Sequence, residues 1–252
     1  AIIVFFGIGA LGMPLLLSLL KTFFGFQEIV AATGLLALAA AILFTAVRFP
    51  AAKQAEWISM KQIGVLFRDV TLLLIAFFLF FQSSMEGLIN NWTTTYLIDI
   101  VAAPQEAALM GLSAYVAGMT AMRLLIGSVL KKMPEKHLLF VSFGIILTAL
   151  ILFSLSRSVI PAAAGLFILG AGLAAGFPTM LGIVGERYPN LSGTAFSFVL
   201  VIGLLGNMLV NYSMGLVAGK AGISHLTTFT FTGLVILVLI ATVVFRRLKT
   251  DR

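Results

Sequence analysis

A lone acidic side chain, Glu86, lies among several amides in the middle of a segment that otherwise reads as membrane-spanning. The segment, residues 77–98, is FFLFFQSSMEGLINNWTTTYLI. At 100° per residue, Gln82, Asn90 and Thr93 lie within about 40° of Glu86 around a helix, which makes one polar stripe. A charge at a helix centre costs about 2.5–3.5 kcal/mol on insertion scales, so the stripe should face a bundle interior or water. A carboxyl group among amides can bind hydroxyl groups, and it can also carry a proton.

Other polar residues inside apolar runs leave two interpretations open. Glu86 itself could be a protonated structural acid bonded to a neighbouring helix. Asn207 and Asn211 are four residues apart. They either line a polar cavity or hold helices together through interhelical hydrogen bonds, each of which contributes about 0.6–2 kcal/mol. Arg123 either extends toward the nearby membrane interface or pairs with an acid or a helix end as part of a gate.

The composition places the chain among membrane proteins. Of its 252 residues, 61% are hydrophobic and 10% charged, and the mean hydropathy is +1.14. Globular domains carry about 25% charged residues, so a water-soluble fold of this size is excluded. The chain has no cysteine and two histidines, which excludes thiolate sites and argues against a metal enzyme. We therefore expect a lipid bilayer as partner, with no cofactor, no metal and no nucleic acid.

Eight apolar runs predict an all-α polytopic membrane protein with eight transmembrane helices. The runs are 1–20, 29–47, 70–98, 106–130, 138–156, 160–184, 191–217 and 226–245. Residues 1–47 would be the last two helices of an N-terminal bundle, 48–69 a cytoplasmic linker between bundles, and 70–252 a six-helix C-terminal bundle. The chain starts without an initiator methionine or a signal peptide, so we expect earlier helices of the same protein to precede it.

The basic residues predict the orientation. Twelve of the sixteen Lys and Arg lie in alternate connections and the C-terminal tail, three lie in the opposite connections, and Arg123 lies within a span. Because positive residues accumulate on the cytoplasmic side, the C-terminus should be cytoplasmic. We expect a multi-pass protein of the plasma membrane, which is the inner membrane in a bacterium with two.

Two spans carry residues that interrupt helices. Pro178 removes a backbone donor in the span 160–184 and should bend it, which leaves a carbonyl in need of a partner. Gly172 and Gly176 in the same span permit close helix packing. If 70–156 and 160–245 are two three-helix repeats, their first helices should both break near the middle, at Glu86-Gly87 and at Pro178. Pro14 predicts a similar break in the first span.

Several motifs in order resemble the major facilitator superfamily of transporters. RLLIGSVLKKMPEK (123–136) is similar to the signature between the eighth and ninth helices of that family, and GIGALGMPLLLSLL (7–20) to its fifth helix. EGLINNWTTTYL (86–97) resembles the seventh helix of the fucose–proton symporter-like branch, and GAGLAAGFPTMLGIVGERYPNLSGTAFSF (170–198) its tenth helix and following loop. The resemblance implies helices five to twelve of a twelve-helix fold.

Carried over to this chain, the resemblance implies a set of substrate-binding residues. These residues are Glu86, Asn90, Asn91, Trp92, Phe177, Thr179, Asn207 and Asn211. We add Gln82 of the polar stripe to the set. Glu86 is the candidate for proton coupling, and Arg123 the candidate for gating.

The function expected from these features is secondary active transport of a small polar solute by alternating access, with protons as the candidate coupling ion. The resemblance to the fucose–proton symporter-like branch implies a sugar as the solute. One alternative is a transporter of another class of small solute, either an organic anion transporter or a drug exporter. A channel or scaffold, or a membrane-embedded transferase, is a further alternative, although a transferase needs clustered catalytic side chains that these short loops lack. We therefore expect a transporter and not an enzyme.

Overall fold

The computed structural model describes residue 20, residues 23–47, residues 64 and 66, and residues 68–250. The helices, in chain order, are α1 Phe26–Ala46, α2 Val70–Asp99, α3 Gln105–Ser128, α4 Glu135–Leu155, α5 Val159–Leu173, α6 Gly176–Arg187, α7 Ser192–Ala221 and α8 His225–Thr250. A short 3-10 turn, Leu130–Lys132, follows α3, and the described residues include no strand.

The described helices make seven membrane-capable spans, with α5 and α6 counting together as the span Val159–Arg187. The prediction of an all-α polytopic membrane protein is therefore confirmed. The predicted span 1–20, with its break at Pro14, and most of the linker 48–69 lie outside the described residues. The chain divides into two compact units, residues 1–57 and 58–252. The predicted bundle limits remain a prediction.

Local sequence signals set the helix ends in the second unit. Asp69 precedes α2, and its Oδ1 accepts hydrogen bonds from the amides of Thr71 at 2.8 Å and Leu72 at 3.3 Å. This satisfies amide groups that have no partner inside the helix. Pro104 and Pro134 stand immediately before α3 and α4, where a residue without an N–H group loses nothing. Gly222 ends α7 with a φ of 92°, a conformation that glycine adopts without strain.

Helix α2 is the centre of the second unit. It packs against α7, α8 and α3 and also meets α6, while α5 packs against α3 and α4. In the apolar 18-residue segment of α2, 67% of the residues are buried, whereas in the corresponding segments of α3 and α7 only 22% are buried. Helices α3 and α5 approach closely because Gly118 faces the Phe167 carbonyl and Gly170 faces the Tyr115 carbonyl, with no room for a Cβ atom at either position. Small residues let backbones approach in this way within membranes.

The predicted break in the span 160–184 is confirmed. Helix α5 ends at Leu173 and α6 begins at Gly176, so that Pro178 lies in the first turn of α6. Proline is tolerated there because that turn needs no internal N–H donor. The packing role predicted for the glycines is also confirmed, since a Cβ atom at Gly172 would meet Ile146 and one at Gly176 would meet Gln82.

The predicted break at Glu86-Gly87 is wrong. Helix α2 continues without interruption from Val70 to Asp99. Gly87 provides space instead of flexibility, because a Cβ atom there would collide with the side chain of Asn207 on α7. The interruption predicted for both first helices is therefore found in only one of them.

A cluster of polar side chains joins the start of α2 to the end of α6. Asp69 accepts a hydrogen bond from the Tyr188 hydroxyl, and its Oδ2 lies 3.5 Å from Arg187 Nε. Burial disfavours the charged carboxylate, but the hydrogen bonds from Tyr188, Thr71 and Leu72 and the charge of Arg187 outweigh it and lower the pKa of Asp69. Burial and the same hydrogen bond raise the pKa of Tyr188.

Replacing Tyr188 with phenylalanine should make the protein less stable at neutral pH, by about 1 kcal/mol, because one hydrogen bond to a carboxylate is lost. Since the pKa of Asp69 is lowered by folding, its contribution is complete above its unfolded pKa of about 3.9 and disappears as the pH falls through the folded value. The difference between wild type and Y188F in thermal unfolding should therefore shrink below about pH 4. Y212F, on an exposed tyrosine, is the matched control. A difference that stays constant with pH would exclude the Asp69 carboxylate as the partner.

Candidate functional site

Glu86 and Gln82 lie one turn apart on α2, next to the break in the neighbouring span. The Gln82 Nε2 donates to Glu86 Oε1 at 2.9 Å and to the Leu173 carbonyl at 2.8 Å. Leu173 is the last residue of α5, so its carbonyl has lost the partner that a continuous helix would supply. The carbonyl left by the break thus finds its partner in a side chain of the polar stripe.

Arg123 of α3 reaches the same acid. Its Nη2 lies 3.6 Å from Glu86 Oε2, and each side chain keeps 17% of its surface exposed. The distance allows an ion pair but exceeds that of an ordinary hydrogen bond. Of the two interpretations of Arg123, pairing with an acid is the one that the structure shows. Its role in gating remains a prediction.

A second group of polar side chains connects α2 to α7 through Asn211. The Asn211 Oδ1 accepts hydrogen bonds from Asn91 Nδ2 and Trp92 Nε1, each at 3.1 Å. Its Nδ2 donates to Asn207 Oδ1 at 2.9 Å and to the Asn207 carbonyl at the same distance. Asn207 in turn lies against Gly87, the residue that follows Glu86. The two polar groups therefore meet along one stretch of α2, between residues 86 and 92.

The remaining predicted residues are placed differently. Asn90 is exposed and donates to the carbonyl of Glu86 in its own helix at 2.9 Å. Phe177 and Thr179 lie in the first turn of α6 beside Gly176; Phe177 packs against the hydrophobic core and Thr179 is buried. The structure gives these two residues no hydrogen bond or ion pair to Glu86, Asn207 or Asn211 among its described contacts.

An apolar cavity of about 280 Å³ lies between α2, α7 and α8. None of the predicted substrate-binding residues lines it. Its wall is formed by Phe81, Ser84, Met85, Leu88, Val210, Thr228, Phe229, Thr232, Gly233 and Ile236. On α2 its lining residues Ser84 and Leu88 lie about 160° around the helix from Glu86, so the cavity and the acid occupy different faces.

The sequence did not single out Tyr115 as a site residue. Its side chain is fully buried on α3, the helix that also carries Arg123. Within the described part of the chain, three buried polar atoms have no hydrogen-bond partner: Thr93 Oγ1, Tyr115 OH and Arg123 Nε. A buried tyrosine among leucines and glycines carries no sequence signal that separates it from a core residue. The described residues also include no group of three His, Asp or Glu side chains that could hold a metal ion.

The arrangement of a broken span beside a buried acid, with amides on an adjacent helix, is typical of the central sites of membrane transporters. The sequence matches the family model described as Major Facilitator Superfamily over residues 1–210. The chain belongs to this family of transporters, and with seven membrane-capable spans it is a multi-pass membrane protein. No curated protein matches it.

Two solved structures with similar folds are both of FucP. The first is a major facilitator superfamily transporter in the outward conformation, with a TM-score of 0.69, 14% identity, and coverage of 89% of this chain and 59% of FucP. The second is a variant of the E. coli fucose:proton symporter, with a TM-score of 0.67, 15% identity, and coverage of 86% and 54%. The resemblance to the fucose–proton symporter-like branch is thus confirmed for the fold. The chain spans somewhat more than half the length of these relatives.

Proposed function

We propose that this chain is part of a secondary active transporter that moves a small polar solute across the cytoplasmic membrane by alternating access. The observation that carries the proposal is the pairing of Glu86 with Arg123 and Gln82 inside a bundle of membrane-capable helices. Buried ionisable residues in such bundles are costly and mark substrate or proton pathways. The solute would bind between this bundle and a second one formed by earlier helices of the same protein.

The amide groups favour a sugar as the solute. Asn91, Asn207 and Asn211 offer donors and acceptors on two helices, and Trp92 adds an aromatic ring bonded through its Nε1 to Asn211. Amides bind hydroxyl groups, and an aromatic ring covers the apolar face of a sugar ring. A fold similar to that of a fucose:proton symporter supports the same choice.

Protons are the proposed coupling ion, with Glu86 as their binding site. A proton on Glu86 would neutralise the acid and release Arg123, and a neutral acid moves across the low-dielectric bundle more easily than a charged one. Proton entry down a potential of 100 mV supplies about 2.3 kcal/mol per charge. This corresponds to about 50-fold accumulation of a solute that enters with one proton.

The test replaces Glu86 with glutamine in the protein expressed from its complete reading frame. Uptake of radiolabelled fucose and glucose should be measured both as gradient-driven accumulation and as exchange without a gradient. E86Q should lose up to about 50-fold accumulation and keep exchange, because glutamine retains hydrogen bonding without carrying a proton.

Glu106→Gln, an exposed acid in the first turn of α3, is the matched control and should accumulate sugar like wild type. Accumulation by E86Q at the wild-type level would refute the proton-coupling role. Absence of any saturable sugar uptake by wild type would refute the sugar.

Organic anion transport is a second candidate that one observation favours. Arg123 Nε is buried and has no hydrogen-bond partner, while Nη2 makes only a long ion pair. A guanidinium group binds carboxylates through two parallel hydrogen bonds, so an anion could replace Glu86 as its partner. Saturable uptake of radiolabelled benzoate that is lost in Arg123→Gln, without sugar uptake, would establish this alternative.

A further inference from the structure

The break in the span α5–α6 is tied to the candidate proton site by a single side chain, Gln82. Its one amide nitrogen uses both of its hydrogens, one on Glu86 Oε1 at 2.9 Å and one on the Leu173 carbonyl at 2.8 Å. The first partner is the acid of α2 and the second is the end of α5. No other described side-chain hydrogen bond joins α2 to the residues at this break.

The orientation of the Gln82 amide is fixed by its partners. The Leu173 carbonyl can only accept a hydrogen bond, so the nitrogen and not the oxygen of Gln82 must face it. The same nitrogen then presents a donor to Glu86. A donor stabilises the carboxylate form of an acid more than the neutral form, since hydrogen bonds to charged groups are about twice as strong as neutral ones.

The Gln82 side chain has little room to move. It is 1% exposed, and a Cβ atom at Gly176 would lie 2.5 Å from its Cδ and Oε1 atoms. Gly176 is the first residue of α6. The amide is therefore held between both halves of the broken span and the acid on α2.

We propose that Gln82 is a positioning residue that couples protonation of Glu86 to the bend of the broken span α5–α6. The inference rests on the proposed function in that Glu86 is taken as the proton site. A proton from water adds to the carboxylate and gives a neutral acid, which weakens the bond from Gln82 and ends the ion pair with Arg123. The Gln82 amide nitrogen then donates to the Leu173 carbonyl and to a weaker second acceptor, the neutral acid. As a result, the angle between α5 and α6 changes.

The surroundings of Glu86 leave few other groups that could produce this response. Among the described residues, Arg123 of α3 is the charged side chain paired with Glu86. The same helix carries the buried Tyr115 and, in its first turn, the exposed Glu106. On α6, α7 and α8, the other helices packed on α2, the titratable residues are Tyr212, which is exposed in the body of α7, and a set near the helix ends: Glu186, Arg187, Lys220, His225, Arg246, Arg247 and Lys249. By linkage, a bend that responds to protonation must also change the proton affinity of the site.

The test measures the bend directly as a function of pH, without any substrate. These 252 residues contain no cysteine, and any cysteine elsewhere in the complete reading frame is replaced with serine, so that spin labels attach only to the introduced cysteines. Ile160→Cys and Glu186→Cys place labels at exposed positions near the two ends of the broken span. Val141→Cys and Leu155→Cys, both exposed on the unbroken α4, give the control pair. The protein is expressed from its complete reading frame and reconstituted in nanodiscs.

In wild type the distance between labels 160 and 186 should shift between pH 8 and pH 5 by about 2 Å. This follows from a bend that changes between about 20° and about 40°, with arms of 15 and 12 residues and a rise of about 1.5 Å per residue. The shift should vanish in Gln82→Met, which keeps the size of the side chain, and in Glu86→Gln. Gly176→Ala, which displaces the amide without removing it, should reduce the shift. The control pair should not move in any variant, which verifies the fold.

Each other outcome identifies what is wrong. A shift that is lost in E86Q but persists in Q82M would overturn the role of Gln82 while Glu86 remains the proton site. A shift that persists in E86Q would overturn the coupling, because a group other than Glu86 would then drive the bend. A wild-type distance that does not change with pH would overturn the coupling alone, since the accumulation assay tests the proton site separately.

Discussion

Replacing Arg123 with leucine should destabilise the protein more than any other single change considered for it, by about 3 kcal/mol. Removing one partner of a buried ion pair costs about 3–5 kcal/mol because the remaining charge is left uncompensated. The lower end applies here because each side chain keeps 17% of its surface exposed, which leaves some screening by solvent. Thermal unfolding in detergent micelles measures the effect.

A second substitution separates the lone charge from lost packing. Glu86→Gln in the Arg123→Leu background removes the uncompensated charge, so the double variant should be more stable than R123L alone. Arg246→Leu, on an exposed arginine near the end of α8, controls for the loss of one positive charge. If the double variant is no more stable than R123L, the instability comes from packing and not from Glu86.

The helical spans could be predicted from the sequence because their signal is local. The predicted span 70–98 is observed as Val70–Asp99, and 226–245 as His225–Thr250. Hydropathy over about 20 residues decides whether a segment crosses a bilayer, and no partner helix is needed for that decision. The ends differ by a few residues where caps extend the helix beyond its apolar part, as at Glu135 at the start of α4.

The two predicted breaks separate a backbone effect from a packing effect. Pro178 acts on its own backbone, by lacking an N–H group and clashing with the preceding turn, and its break was predicted correctly. Gly87 has no such effect on its own backbone. Whether it interrupts the helix or makes room for a neighbouring side chain depends on the residue packed against it. Only the packing of α2 on α7 reveals that the glycine accommodates Asn207.

The partners of the polar residues could not be predicted from the sequence. The spacing of Asn207 and Asn211 placed them on one face of a helix, but not opposite Asn91 and Trp92, which lie more than a hundred residues earlier. The pairing of Glu86 with Arg123 likewise depends on which helices are neighbours and how far each is shifted along its axis. Hydropathy determines neither quantity.

Replacing Asn211 with leucine should impair substrate binding more than any other change in the amide group. Its Oδ1 accepts hydrogen bonds from Asn91 and Trp92, and its Nδ2 donates to Asn207. Leaving a partly buried donor or acceptor without a hydrogen-bond partner costs about 1–3 kcal/mol of free energy. If one such loss falls on the bound state, the substrate concentration for half-maximal uptake should rise by about one to two orders of magnitude.

The measurement is the concentration dependence of exchange of the proposed sugar substrate, which does not depend on a proton gradient and so separates binding from coupling. Ser213→Ala is the control on the same helix, because the Ser213 hydroxyl bonds only to the Leu209 carbonyl of its own helix. Asn211→Asp should be milder than N211L, since it keeps an oxygen acceptor for Asn91 and Trp92 and loses the donor to Asn207. Unchanged half-saturation in N211L with normal folding would mean that the amides only hold α2 and α7 together, and that the solute binds elsewhere on the bundle.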